Sequence, residues 1–117
     1  MNDDHFFPFE KLQVYQVALE VLRIAVGNRA RLRGLPGELP NQLDRALVSV
    51  VANITEATGR QSLADRKRHF AIARGSATEA GGLVEVAVLF GALDEESHRS
   101  MRSRLIRVAQ MLTGLIR

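Results

Sequence analysis

The stretch ALVSVVANITEATGR, residues 46–60, decides the fold of this chain. It begins with an apolar run broken only by Ser49, and Asn53, Glu56 and Arg60 then follow at spacings of three and four residues. On an α-helix these three side chains share one face. Burying such groups is costly unless each is hydrogen-bonded or paired. The stretch therefore predicts a helix buried on more than one side, whose polar face is either a seam or a binding site.

Helical spacing continues on both sides of this stretch, and no segment alternates with the period of a strand. We expect a tail over residues 1–9 and a single domain over 10–117. Within that domain the apolar pattern predicts helices over 10–29, 40–57, 63–90 and from Asp94 to the C-terminus, with a loop over 30–39. The two later connections are short, which makes neighbouring helices antiparallel. The predicted fold is all-α, an antiparallel up-down-up-down four-helix bundle.

The predicted core follows one apolar stripe on each helix. On the first helix the expected core stripe contains Leu12, Tyr15, Leu19, Leu22 and Val26. A second apolar stripe lies beside it and contains Val14, Ala18, Val21 and Ala25. The other three stripes contain Leu43, Leu47, Val50 and Ile54; Phe70, Ala73, Ala77, Ala80, Val84 and Ala87; and Met101, Leu105, Val108, Leu112 and Leu115.

Four residues are expected to define the helix ends. Gly59 is predicted to end the second helix in the left-handed conformation, and Gly91 to end the third. Ser62 and Asp94 are predicted N-caps, because short polar side chains accept hydrogen bonds from the free N–H groups of a first turn.

Composition excludes several classes of protein. The chain has 117 residues and no cysteine, so disulfides and thiolate metal sites are excluded. Residues 1–5 have no signal-peptide core, and the apolar runs are far shorter than the ~20 residues of a membrane span. We therefore expect a cytoplasmic protein without membrane contact. The net charge of +3 is compatible with nucleic-acid binding but is small.

The sequence contains no convincing catalytic pattern. A di-iron bundle needs two Glu-x-x-His motifs and two further carboxylates, whereas this chain has one such motif, Glu95 to His98. That motif lies in a first turn, where glutamate complements the helix dipole. No glycine loop that could hold a phosphate follows a strand. We predict no enzymatic activity, no metal and no cofactor.

Two sets of polar residues are candidate sites. A basic cluster around the turn between the second and third helices is a hypothetical nucleic-acid-binding site, although charge on a helix is usually a solvated face; it contains Arg60, Arg66, Lys67, Arg68 and Arg74. A second set is interpreted as a structural polar network, the alternative being a ligand or RNA site; it contains Arg45, Asn53, Glu56, Arg60 and Glu79. Glu79 is expected to pair with Arg45 or across a subunit boundary. If Arg60 is buried, removing Glu56 costs about 3–5 kcal/mol.

The second and third helices carry more apolar surface than a monomeric bundle exposes. Such patches usually mark interfaces, so we expect a homo-oligomer. The alternative is that these two helices form the central diagonal of one bundle.

The motifs resemble those of the 23S rRNA intervening-sequence proteins. The resemblance spans residues 9–116 and rests on FEKLQVYQ at 9–16, QLDRA at 42–46, Ser49, NITE at 53–56, Gly59, Arg60, Phe70, IARGS at 72–76, Glu79 and LTGLI at 112–116. It implies a four-helix bundle assembled as a ring, a homopentamer, without assigned catalysis or cofactor. A related branch serves diversity-generating retroelements, which implies a reverse transcriptase and nucleic acid as partners.

Two functions remain open at this point. The first is a non-catalytic oligomeric protein that binds RNA or DNA through a basic rim. The second is a protein–protein interaction scaffold with no nucleic-acid role.

Overall fold

The computed structural model describes residues 5–117 and is all-helical over that range. A 3-10 helix precedes five α-helices, which are α1 (Gln13–Gly27), α2 (Arg29–Leu32), α3 (Leu39–Gly59), α4 (Leu63–Leu89) and α5 (Glu95–Ile116). The predicted tail over 1–9 lies partly outside the described residues. Its last two residues belong to the 3-10 helix Pro8–Lys11, where the ring of Phe9 packs edge-on against Tyr15.

Each of the four long helices packs against two others. α3 packs along α4, α4 along α5, and α1 contacts both α3 and α5. Only residues 60–62 separate α3 from α4, so these two run in opposite directions. The predicted stripes on α3 and α4 are confirmed as buried, and on α5 all but Leu115 are buried. The core therefore lies between the four long helices.

The predicted core stripe on the first helix is wrong. The buried residues of α1 are those of the neighbouring stripe together with Val17, whereas Val26 is 56% exposed. Both stripes are apolar, and the smaller side chains of the buried one let α1 lie close to α3 and α5. The larger side chains of the other stripe are only partly covered, which leaves apolar surface on the outer side of α1.

The predicted caps of α4 and α5 are confirmed. The Ser62 hydroxyl accepts a hydrogen bond from the backbone N–H of Asp65, and the Asp94 carboxylate accepts one from the N–H of Ser97 at 2.7 Å. This bond, with a smaller contribution from the charge of Arg31, lowers the pKa of Asp94 below its ordinary value. Because the pKa of Asp94 is lower in the folded than in the unfolded state, its ionised carboxylate stabilises the fold at pH values above the unfolded-state pKa. This stabilisation is lost as the pH falls through the folded-state pKa.

The glycine predictions differ in outcome. Gly91 has a φ of +72° and ends α4 as expected, because glycine reaches the left-handed region at little cost. The prediction for Gly59 is only partly confirmed: Gly59 is the last residue of α3, but it is not left-handed, since only Gly37 and Gly91 have positive φ among residues 5–117. Arg60, which follows Gly59, has an extended backbone that leads into the turn.

The largest difference in helix boundaries lies near the N-terminal end. The sequence predicts one helix over 10–29 and a loop over 30–39. In the structure, extended backbone at Leu12 separates the 3-10 helix from α1, and Asn28 separates α1 from α2. The Asn28 side chain donates to the Ile24 carbonyl and to the Ser97 hydroxyl, which attaches this break to α5.

Candidate nucleic-acid interface

A chain of hydrogen bonds joins α3 to α4 behind their shared turn. We call its members, Ser49, Asn53, His69 and Ser76, the polar seam. The Asn53 amide nitrogen donates to the Ser49 carbonyl at 2.9 Å and to its hydroxyl at 3.1 Å. The hydroxyls of Ser49 and Ser76 lie 2.8 Å apart, and the Asn53 amide oxygen lies 3.1 Å from Nδ1 of His69. The seam thus satisfies polar groups that would be costly to bury alone.

The seam fixes the proton on His69. The Ser49 carbonyl can only accept a hydrogen bond, so it sets the orientation of the Asn53 amide and turns the amide oxygen towards His69. Nδ1 of His69 must therefore donate. In the neutral ring Nε2 is then an acceptor, and it accepts from the Arg68 guanidinium at 3.2 Å. His69 is 7% exposed, so this bond holds Arg68 against a rigid, buried ring.

Sequence reasoning singled out Asn53 but missed His69. His69 follows three basic residues, and in sequence it looks like part of a solvated charged turn. The available signal was its helical phase, because His69 and Ser76 lie seven residues apart and so share one face of α4. That phase places both residues opposite the polar face of α3.

Glu56 and Arg60 form a separate ion pair outside the seam. Their side chains meet at 2.6 Å across one turn of α3, with about half of the Glu56 side chain exposed. The Nε atom of Arg60 is buried and has no hydrogen-bond partner among the described residues. Even so, the Arg60 side chain as a whole is 42% exposed. The large loss of stability expected on removing Glu56 required a buried Arg60, so that condition is not met.

We expect Glu56→Ala to have only a small effect on stability. Exposed ion pairs at this spacing contribute about 0.3–0.5 kcal/mol, because water and salt screen the charges. Chemical denaturation of the variant and the wild type at one protein concentration measures this difference. A loss of 3 kcal/mol or more, as for a buried pair, would contradict the observed exposure.

Arg45 and Glu79 lie on opposite walls of an open groove between α3 and α4. The groove has a volume of about 400 Å³, and its lining includes the hydroxyl-bearing residues Ser49 and Ser76. Arg45 approaches Glu38 at 3.7 Å, whereas Glu79 forms no ion pair with any residue in 5–117. The five residues predicted to form one polar network therefore lie in three separate places. Asn53 belongs to the polar seam, Glu56 pairs with Arg60, and Arg45 and Glu79 line this groove.

The basic cluster also divides into two groups. Arg74 turns away from the α3–α4 turn and donates to the Thr113 hydroxyl on α5 at 3.3 Å, and Arg60 is paired with Glu56. The remaining three cations, Arg66, Lys67 and Arg68, form no ion pair with any described residue. We call these three the basic triplet.

Contacts with neutral groups orient two members of the basic triplet. Nε of Arg66 donates to the Arg60 carbonyl at 2.7 Å, which leaves both terminal nitrogens of that guanidinium for other partners. Arg68 is held by His69, as described above. Because neither contact neutralises a charge, the first two turns of α4 present oriented guanidinium groups that can donate to anionic oxygens.

Other arginines of the chain differ in how far they are neutralised. On α5, Arg102 pairs with Glu85 at 3.1 Å and Arg104 with Glu20 at 2.7 Å. Sequence reasoning overlooked α2, where Arg29 and the adjoining Arg33 are exposed and form no ion pair within the described part of the chain.

The single Glu-x-x-His motif has a structural partner. His98 contacts the carboxylate of Glu85 on α4, which Arg102 also binds. Across residues 5–117, no three histidine or acidic side chains are grouped closely enough to hold a metal ion. No helix in this range is long and apolar enough to cross a membrane.

The fold and these surfaces define a small all-helical protein with a polar seam beneath a basic turn. The family model of the 23S rRNA-intervening sequence proteins matches residues 10–114. The chain therefore belongs to this family.

A solved structure shares the fold. It is a protein of unknown function from the S23 ribosomal protein family of Bacteroides thetaiotaomicron, which aligns with a TM-score of 0.79 at 24% sequence identity, covering 89% of this chain and 98% of the other. A search of curated proteins found none with significant similarity.

Proposed function

We propose that this protein is a non-catalytic, cytoplasmic homo-oligomer that binds RNA or DNA phosphates through the basic triplet, Arg66, Lys67 and Arg68. The observation that carries the proposal is the set of three adjacent cations without carboxylate partners among residues 5–117. Guanidinium groups suit phosphate because their planar N–H groups donate to two oxygens at once. Phosphate contacts supply most of the affinity in sequence-independent binding.

Assembly would strengthen this interaction. In our proposal the four long helices form an antiparallel bundle, and several bundles form a ring, a pentamer by analogy with the family resemblance. Exposed apolar side chains on α1 and α3, including Val26 and Val48, support an oligomer. Each subunit then contributes one basic triplet to a single rim. Repeated weak contacts give a higher overall affinity for a long polyanion than one contact does.

The variant Arg66→Glu with Arg68→Glu tests the proposed site. We expect weaker binding to a structured RNA and a salt dependence reduced by about one unit of slope for each phosphate that the variant no longer binds. Both residues are exposed, so the oligomer mass should not change. Fluorescence anisotropy at several salt concentrations measures the affinity and the slope together.

A matched control separates a local site from general charge. Arg29→Glu with Arg33→Glu changes the net charge by the same amount at α2, and both of these arginines are exposed without ion pairs within the described range. We expect it to reduce RNA affinity much less. Equal reductions in RNA affinity in the two double variants would show that only net charge matters. Unchanged affinity in Arg66→Glu with Arg68→Glu would refute RNA binding by the basic triplet.

The second candidate function is a protein–protein interaction scaffold. Exposed Leu89 and Phe90 at the end of α4 favour it, because they form an apolar surface away from the basic triplet. A partner such as a reverse transcriptase would bind there, without need of RNA. The Arg66→Glu, Arg68→Glu variant should then retain that partner after nuclease treatment. Such a result would favour the interaction scaffold over nucleic-acid binding.

A further inference from the structure

The outer side of α1 carries apolar side chains that the subunit covers only in part. We call them the α1 stripe; its members are Leu12, Tyr15, Leu19, Leu22 and Val26. They are spaced alternately by three and four residues, the pattern with which one helix packs along another. Within the subunit, α1 buries the neighbouring stripe, which includes Val14, Ala18 and Val21. The α1 stripe therefore has the spacing of a helix–helix interface, but no helix of the same subunit covers it fully.

The outer side of α3 carries an open depression. A shallow trough of about 430 Å³, which we call the α3 trough, runs along it; it is lined by Asp44, Arg45, Val48, Ser49, Ala52 and Asn53. Val48 is 52% exposed, and Ser49 and Ala52 are small, so large side chains of another helix could approach the backbone closely.

Charge favours contact between unlike surfaces. Arg23 is exposed on α1 beside the stripe and forms no ion pair with a described residue. Asp44 in the trough and Glu79 on the adjacent surface of α4 are also exposed and unpaired within residues 5–117. Arg45 also lines the trough, but it approaches Glu38 at 3.7 Å. If two α3 troughs met, the unpaired charges brought together would therefore be carboxylates, and if two α1 stripes met, they would be arginines. Placing the stripe of one copy in the trough of another brings opposite charges together.

We infer that the α1 stripe of one copy packs into the α3 trough of the next copy. This inference rests on the proposed oligomer and deepens it by naming the two surfaces. Contact between two different surfaces repeats from copy to copy and closes into a ring when the rotation permits. It covers the apolar residues that the subunit leaves exposed on α1 and α3.

The absence of cysteine from the chain allows a direct test. The double variant Leu19→Cys with Val48→Cys places one thiol on each surface. Treatment with a short bis-maleimide crosslinker should give a ladder of bands beyond the dimer on a denaturing gel. Each single variant should remain a monomer band, because like thiols do not meet. A control pair, Val48→Cys with Ser103→Cys on exposed α5, should also remain monomeric.

The outcomes separate this inference from the proposed oligomer. A crosslinked dimer from Val48→Cys alone would indicate contact between two troughs and overturn the inference. A double variant that stays uncrosslinked but has an oligomeric mass by light scattering would refute the contact between the α1 stripe and the α3 trough. The proposed oligomer itself would still stand. A monomeric wild type would refute both proposals.

A charge variant gives a second measurement that does not alter the apolar contact. Arg23→Glu should shift the mass towards the monomer, because it places a carboxylate opposite the unpaired carboxylates of Asp44 and Glu79. Arg107→Glu, on the exposed side of α5, should leave the mass unchanged. Equal masses for the two variants would contradict the charge argument.

Discussion

Replacing Ile54 by alanine should destabilise the protein by about 2–5 kcal/mol. Ile54 lies on α3, is fully buried and belongs to the hydrophobic core. The variant forgoes the free energy of burying the removed methyl groups and leaves a cavity, because packed helices relax only in part. Urea denaturation followed by circular dichroism measures the change in stability.

The matched control is Ile106→Ala on α5. Ile106 is 47% exposed, so the same chemical change should alter stability by less than about 0.5 kcal/mol. Both variants and the wild type must be compared at one protein concentration, because association contributes to the stability of an oligomer. Similar losses of stability at the two positions would contradict the described core.

The second large effect is expected at Asn53. Asn53→Ala removes the acceptor for His69 Nδ1 and the donor to Ser49, and leaves a buried N–H group without a partner. An unsatisfied buried polar group costs about 1–3 kcal/mol. Thermal and urea unfolding should both show this destabilisation.

Asn41→Ala is a matched control on the same helix. Its amide is exposed and bonds only to the carboxylate of Glu38, so its removal should cost little. A double-mutant cycle gives a sharper test: Asn53→Leu with His69→Phe should cost less than the two single changes added together, because no buried group is then left unpaired. Strict additivity would show that the two side chains do not interact.

Much of the fold follows from the spacing of apolar residues. The stripes on α3 and α4 are predicted correctly because the lines of residues beside them contain charged side chains, such as Asp44 on α3 and Glu79 on α4. The ends of α4 are also marked, by Ser62 and Gly91. The α1 stripe is predicted wrongly because two apolar lines lie side by side. Periodicity gives the direction of each line but cannot say which one faces the core.

The candidate site depends on contacts that sequence spacing does not specify. Arg74 lies near Arg66 and Arg68 in sequence, yet its side chain reaches α5, because rotation along the helix turns it to another side. His69 is hidden among cations in the sequence although its side chain is buried. The family resemblance supplies the ring, and the basic cluster suggests nucleic-acid binding, but neither follows from helix periodicity.

Light scattering of the wild type, with and without structured RNA at low and moderate salt, tests the central claim most directly. We expect a multi-subunit mass that increases when RNA is added at low salt and returns to the protein value at moderate salt. The increase should be much smaller for Arg66→Glu with Arg68→Glu. A monomeric mass, or an oligomer whose mass RNA does not change at low salt, would contradict the account.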